Sequence, residues 1–321
     1  MEGPVLASLP PWRKLIVVAG LALIFTMLFS FAGGLLANVF FGINFFDPLA
    51  FRNLENSDSI KAMKLVQALG AGLGTFIITS LVAAFLFGKK ITEYLKLNGR
   101  FRFLQLITVL LIMITGVPLI NIMVEWNSHL SFPEFLAPVE TWMRSSEQEA
   151  ERITKAFVNV TAVQDVLINL LVIAVLPAMG EELLFRGVVQ RILTEWFRNA
   201  HAGIWISAAV FSAIHVQFFG FVPRMMLGVC FGYMLHWSGS MWLPVIAHFF
   251  NNAAAVISAW YVFNHQEGFN PDQLGVEEGG NMLVLLSALF VTLLMMHLYS
   301  LRTRITNNNL KETSVNRDSI P

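Results

Sequence analysis

The sequence predicts an all-α membrane protein, a polytopic transmembrane helical bundle of about eight spans. Of its 321 residues 56% are hydrophobic and 13% are charged, whereas about 25% of residues are charged in an ordinary soluble domain. The apolar residues also form long runs, and a spanning helix needs about 20 of them in succession. Because a backbone in lipid must satisfy its own hydrogen bonds, runs of this length indicate helices.

Eight apolar runs predict the spans in chain order. The first follows Arg13 and Lys14 and is longer than the core of a signal peptide, so we interpret it as a retained span. The fourth run ends in charged residues, and the sixth is short. The predicted spans are residues 15–43, 64–88, 103–124, 164–184, 203–222, 225–238, 242–263 and 282–301.

The distribution of Lys and Arg predicts how the spans are oriented. Most basic residues fall in segments that share a side with the N-terminus, and the acidic stretches 125–165 and 267–278 fall on the other side. Since basic residues accumulate on the cytoplasmic side, we expect a protein integral to the cell (cytoplasmic) membrane, with N- and C-termini cytoplasmic. The expected partner is membrane lipid, and the formal net charge of zero gives no indication of nucleic-acid binding.

Four regions follow from this pattern. Residues 1–124 form an N-terminal three-span region, and residues 125–163 an extracytoplasmic loop with an amphipathic helix. Residues 164–301 form the core with the last span, and residues 302–321 a polar tail whose composition is typical of disorder. The charged run at 145–155 indicates a surface helix on the outer leaflet; a gate for substrate is the alternative.

Ionisable side chains inside a membrane are costly, so they point to function. The first group is Glu181-Glu182-Leu-Leu-Phe-Arg186, at the end of the fourth run. Glu182 and Arg186 are four residues apart and can pair on a helix. Glu181 then projects about 100° away from that face. The alternative is a charged helix end that reaches the interface.

Two further groups lie in later runs. His215 ends the stretch Phe211-Ser-Ala-Ile-His215, and the seventh span contains His248-Phe-Phe-Asn-Asn252. His248 and Asn252 are one turn apart on one face, and Asn251 is predicted to point elsewhere. Each group alone is also compatible with an ordinary polar contact between helices.

Together the three groups indicate hydrolytic chemistry. A carboxylate with two imidazoles can deprotonate a water, and an imidazole with an amide can stabilise an oxyanion. Glu181, His215 and His248 could equally hold a Zn²⁺ with an open position for water. The His-Glu-x-x-His and Gly-x-Ser-x-Gly motifs are absent, and the lone Cys230 offers no thiolate metal site.

At these residues the sequence resembles the CPBP family, the CAAX prenyl proteases and bacteriocin-processing enzymes also called Abi proteins. The family signature is Glu-Glu-x-x-x-Arg, then Phe-x-x-x-His, then His-x-x-x-Asn or Asp. All three motifs are intact and in order, each in a predicted span. The resemblance covers residues 164–263, and outside them it is limited to helix count.

The resemblance implies a role for each matching residue. Glu181 would activate the attacking water with His215, while His248 and Asn252 would hold the oxyanion. Glu182, Arg186 and Phe211 would support these residues. Family members are described both as metalloproteases and as glutamate-driven enzymes without a metal, and both options stay open. Asn as the last member favours hydrogen-bond donation over metal ligation.

We therefore expect an intramembrane endopeptidase that cleaves a membrane-embedded or membrane-anchored peptide or protein from the cytoplasmic side. The alternatives are a non-catalytic binding or immunity protein and an ion-coupled transporter. One geometric difficulty remains. Counted at about 1.5 Å per residue, His215 lies about 18 Å into its span, whereas Glu181 ends the fourth span. Helix tilt, or a later start of the fifth span, would bring the two residues together.

Overall fold

A computed structural model describes residues 4–265, 273–277 and 279–317. All regular elements within these ranges are helical, which confirms the predicted fold class. In chain order the helices are α1 Pro11–Phe41, α2 Pro48–Arg52, α3 Ser57–Phe87, α4 Ile91–Tyr94, α5 Phe103–Thr115, α6 Val117–Ser128, α7 Ala137–Val158, α8 Val163–Phe197, α9 Ala200–Ala213, α10 Phe221–Ser238, α11 Trp242–Asn264 and α12 Asn281–Arg317. Single 3₁₀ turns at Glu134–Leu136 and Phe218–Gly220 precede α7 and α10.

Each of the eight predicted spans has a counterpart among the described helices. Six of them (α1, α3, α8, α10, α11 and α12) are long and apolar enough to cross a membrane. The pair α5 and α6 is bent by 43° and provides a seventh candidate span. The shorter apolar helix α9 corresponds to the predicted fifth span. The prediction of about eight spans is confirmed in this sense.

Two predicted boundaries are wrong, and both matter for the site. Helix α8 does not end at residue 184 but continues to Phe197, which places Glu181 in the middle of a 35-residue helix. Helix α9 ends at Ala213 instead of residue 222, so His215 follows the helix. A hydropathy criterion ends a span at charged residues, whereas in α8 these charges are neutralised inside the bundle. Glu181 therefore lies deeper in the bundle than predicted, and His215 lies in the turn after its helix. The two residues can then meet at the same depth.

Helix α8 departs from regular α-helical hydrogen bonding on both sides of its central carboxylates. Leu170–Val175 and Leu183–Val189 are π-helical, and so is Ala68–Ile78 in the adjacent α3. Wider turns of this kind often occur at functional sites. The second π-helical segment directly follows Glu182 and contains Arg186.

Small residues let α3 and α8 approach closely. A Cβ atom at Gly180 would lie 2.7 Å from Phe76 Cβ and 3.2 Å from the carbonyl oxygen of Gly72. Only a glycine fits there without displacing a helix, and small residues at helix contacts are typical of membrane bundles. This contact sets the position of the next residue, Glu181.

An amphipathic helix is present where the charged run predicts one. This helix, α7, has 22 residues. Its C-terminal end is fixed to the bundle, since the carbonyl of Phe157 accepts hydrogen bonds from Lys64 Nζ at 3.1 Å and Asn169 Nδ2 at 2.6 Å. Its location on the outer leaflet stays a prediction.

The apolar surface of the bundle is compatible with lipid. Helices α1 and α12 expose large hydrophobic side chains along their length, among them Leu23, Met27, Leu285 and Leu289. Partly exposed tryptophans lie near helix ends, as expected at a membrane interface. The predicted disordered tail overlaps the end of α12, and residues 318–321 lie outside the described ranges, so its disorder stays a prediction.

Candidate active site

A cavity of about 530 Å³ lies between α3, α6, α8, α10 and α11 and the segment after α9. All four side chains predicted to be catalytic line it, and they come from three separate elements of the fold. These are Glu181, His215, His248 and Asn252. The aromatic rings of Phe211 and Phe231 form part of its apolar wall.

Beside this cavity, Glu182 joins α8 to α11. Its Oε1 accepts a hydrogen bond from His248 Nδ1 at 2.8 Å, and its Oε2 forms an ion pair with Arg186 Nε at 3.0 Å. The carboxylate has no exposed side-chain surface, and that of Arg186 is 1% exposed. A buried carboxylate needs such partners. The pairing fixes the imidazole and leaves its Nε2 free to face the cavity.

Arg186 is enclosed by the protein on its other sides. Its Nη2 donates to the carbonyl oxygen of Gly228 at 3.2 Å. Its guanidinium carbon lies 4.5 Å from the ring centre of Phe211 and 5.6 Å from that of Phe231, distances at which a cation is attracted to an aromatic face. Phe211, predicted to support the site, therefore contacts it through Arg186.

Glu181 is the carboxylate that faces the cavity. Its Oε2 lies 3.8 Å from His248 Nε2. This distance is too long for a hydrogen bond, and it is short enough for one water to contact both atoms. The side chain of Glu181 is 10% exposed, so the carboxylate can reach a water in the cavity while remaining largely buried.

His215 is oriented by a turn that ends α9. Its Nδ1 lies 2.8 Å from the carbonyl oxygen of Phe211, so this nitrogen donates and Nε2 is left for the cavity. The next residue, Val216, has φ +55°, a backbone conformation that is strained for a β-branched side chain. Strain of this kind is often found at functional sites.

Asn252 retains one hydrogen-bond donor. Its Nδ2 donates to the carbonyl oxygen of Ile173 at 3.1 Å, and its Oδ1 accepts from Asn251 Nδ2 at 3.2 Å. Since an amide nitrogen carries two protons, one N–H remains for a ligand. The expectation that Asn251 points elsewhere is wrong, because it also lines the cavity.

The positions of the Glu181, His215 and His248 side chains bear on the Zn²⁺ option. A Zn²⁺ site needs three or four protein donors at about 2.0–2.3 Å from the ion. Within the described residues, no group of three His, Cys, Asp or Glu side chains is placed to hold a metal ion. Glu181 and His248 are close together, and His215 does not complete a cluster with them.

Sequence reasoning missed one charged residue of the cavity. It assigned Arg224 to a connecting segment, but α10 begins at Phe221 and carries this side chain into the cavity wall. Its Nη2 donates to Gln217 Oε1 at 2.8 Å and its Nη1 to the carbonyl oxygen of Gln217 at 3.3 Å. The sequence signal that could have identified Arg224 is that it is the one charged residue in the otherwise apolar stretch 218–238.

Comparison with known proteins places part of this chain within a described family. Residues 163–254 match the model of a protein family described as type II CAAX prenyl endopeptidase Rce1-like. A Bacillus subtilis (strain 168) protein named "Uncharacterized protein YpbD" is 29% identical over 89 residues, which are 26% of this chain and 42% of that protein. The chain thus matches less than half the length of this relative. No solved structure matches the chain.

The matching segment begins with α8 and ends within α11, so it contains all the motif residues around the cavity. The family assignment thus coincides with the part of the fold in which a carboxylate, two imidazoles and an amide face a common space. The resemblance to the CPBP, or CAAX prenyl protease, family is thereby confirmed over residues 163–254.

Proposed function

We propose that this protein is an intramembrane endopeptidase in which Glu181 activates a water molecule. The observation that supports this most directly is the arrangement of two adjacent glutamates with different partners. Glu182 is held by Arg186 and His248, whereas Glu181 faces the cavity. One carboxylate organises the site, and the other is left to accept a proton.

Peptide hydrolysis here would proceed through a tetrahedral intermediate. Glu181, assisted by His215, takes a proton from the water as its oxygen attacks the carbonyl carbon, and the carbonyl π electrons move to the carbonyl oxygen. When the intermediate collapses, the C–N bond breaks and Glu181 returns the proton to the leaving nitrogen. Such proton transfer contributes about 10²–10⁴-fold to a rate.

Two donors are available for the oxyanion. Asn252 has one N–H of Nδ2 unused by Ile173. In its imidazolium form His248 donates from both ring nitrogens, Nδ1 to Glu182 and Nε2 to the cavity. Because the attacking oxygen and the oxyanion sit on the same carbon, the groups that serve them must be close. The 3.8 Å between His248 Nε2 and Glu181 Oε2 meets this condition.

The substrate we propose is a membrane-embedded or membrane-anchored peptide or protein. The cavity lies among helices apolar enough to cross a membrane, so a peptide segment would reach it from the bilayer or its surface. In the orientation expected from the sequence, Val124 and Arg224 at this cavity lie toward the extracytoplasmic side, so we propose entry from that side or from within the bilayer rather than from the cytoplasm. The Zn²⁺ alternative remains open to the test below.

The test uses purified protein in lipid and a library of membrane-anchored peptides, with products identified by mass spectrometry. Wild type should cleave a subset of peptides, and Glu181→Gln should lower the rate at least about 10²-fold with an unchanged thermal unfolding midpoint. His215→Ala should act in the same direction. Glu151→Gln, in an exposed pair with Lys155, is the matched control and should cleave like wild type.

Other outcomes distinguish the alternatives. Cleavage that Glu181→Gln retains in full would contradict the proposal, and so would a wild type that cleaves no peptide. Loss of cleavage with a chelator, restored by Zn²⁺, would favour a metal mechanism. Proton- or ion-coupled uptake lost in Glu181→Gln would identify a transporter. A cellular effect unchanged by both variants would identify a binding or immunity protein.

A further inference from the structure

A second polar cavity lies beside Arg186 and shares no lining residue with the candidate active site. Its volume is about 250 Å³, and it is lined by residues of α4, α8, α9 and α10 and by Lys96. Three basic side chains, Lys96, Arg186 and Arg191, line it together with His236. Among the described residues that line it there is no carboxylate.

The basic groups at this cavity crowd one another. Burial, together with the neighbouring Arg191 and Arg302, lowers the pKa of Lys96 from its ordinary value. Arg302 also approaches the cavity, since its Nη1 lies 3.4 Å from His236 Nε2. Like charges held this close repel one another, and a bound anion would relieve the repulsion.

The acidic residue nearest Arg191 in the sequence does not neutralise it. Glu195, one turn after Arg191 on α8, is paired with Lys14 Nζ at 2.9 Å. Arg191 itself donates from Nη1 to the carbonyl oxygen of Tyr94 at 2.7 Å and stacks on that ring at 4.2 Å. Its position is therefore fixed by neutral partners, which leave the positive charge uncompensated.

The innermost wall contains an unused donor. Arg186 uses Nε for Glu182 and Nη2 for Gly228, but its Nη1 is buried without a hydrogen-bond partner in the described structure. A buried donor without a partner is costly and usually indicates a bound water or ion. A basic cavity and an unsatisfied guanidinium nitrogen thus occur at the same place.

From these observations we propose that this cavity binds a phosphate group. A phosphate has oxygens in several directions and can accept from an ammonium and from guanidinium groups at once. The segment before α5 and the C-terminal half of α8 belong to the predicted cytoplasmic side, so the phosphate comes from a lipid headgroup or from a soluble phosphate compound. The site is separate from the peptidase proposal and does not depend on it.

The test measures thermal unfolding of the purified full-length protein in detergent with two probes. One probe is inorganic phosphate, titrated against potassium chloride of equal ionic strength, and the other is phosphatidylglycerol in mixed micelles. A rise in the unfolding midpoint with inorganic phosphate assigns a soluble phosphate, and a rise with phosphatidylglycerol alone assigns a headgroup. In either case Lys96→Gln should weaken binding about tenfold or more, since a hydrogen bond to a charged group is lost.

A second variant and a control make the result specific. Arg191→Gln should weaken binding in the same way. Lys90→Gln, which removes an exposed lysine paired with Glu93 and outside the cavity, should bind like wild type. No rise with either probe, or an equal rise in wild type and Lys96→Gln, would overturn the proposal.

Discussion

The Glu182 carboxylate contacts two side chains at once, Arg186 and His248. The stability of the site therefore depends more on Glu182 than on any other single residue. Its two oxygens face Arg186 and His248, and the three side chains are almost fully buried. Removing one member of a buried ion pair leaves the other charge without compensation, which is far more costly than losing an exposed pair.

We therefore expect Glu182→Gln to destabilise the fold by about 3–5 kcal/mol. The amide keeps the shape of the carboxylate but leaves Arg186 without a counter-charge. The free energy of unfolding, measured by denaturant titration in detergent, checks this value. Glu140→Gln, which breaks a partly exposed pair with Arg144, is the control and should change it far less, because exposed ion pairs contribute little to stability. A similar loss in the two variants would contradict this account of the buried pair.

At this scale the sequence was informative because charged residues are rare in the spans. The motif residues could be identified from their spacing, and Glu181, His215, His248 and Asn252 among them line one cavity. Arg224 and Asn251 could not be assigned, because their direction depends on where α10 begins and how α11 is rotated. Neither quantity follows from hydropathy.

At the scale of elements, the close contact of α3 with α8 positions Glu181. We expect Gly180→Ala to destabilise the protein by about 1–3 kcal/mol, because its Cβ would lie 2.7 Å from Phe76 Cβ and overpacking of this size has such a cost. It should also lower peptidase activity, since α8 must shift with Glu181. Denaturant titration and initial rates measure both effects.

The matched control is Gly20→Ala in α1. An added Cβ there would have no heavy atom within 4 Å, and alanine is the better helix former. Its stability should equal or slightly exceed that of wild type. A Gly180→Ala protein as stable and active as Gly20→Ala would show that the contact does not position Glu181.

Element boundaries were the part of the fold that sequence predicted least well. The existence and order of the apolar helices followed from run length alone, and the fifth run has its counterpart in the short helix α9. The end of the fourth span was wrong because charges that are neutralised within the bundle do not end a buried helix. The bend between α5 and α6 also has no signature in run length.

At the scale of the whole molecule, the orientation in the membrane can be tested with single cysteines. In a Cys230→Ala background, Gln148→Cys in α7 should react with a membrane-impermeant thiol reagent in intact cells. Asn98→Cys, before α5, should react only after the cells are permeabilised. Both positions are exposed, so access to the reagent depends on the side of the membrane. The reverse pattern would show that the termini face outward.

The buried ion pair also has a consequence for how the chain enters the bilayer during synthesis. Glu182 and Arg186 lie on one helix, so α8 can be inserted with these two charges already neutralised by each other. His248 arrives 66 residues later in the sequence with α11. Until that helix is in place the site has neither its second imidazole nor Asn252. A nascent chain that stops before α11 therefore carries an incomplete site, and under the proposed function only the assembled bundle would be able to cut a peptide.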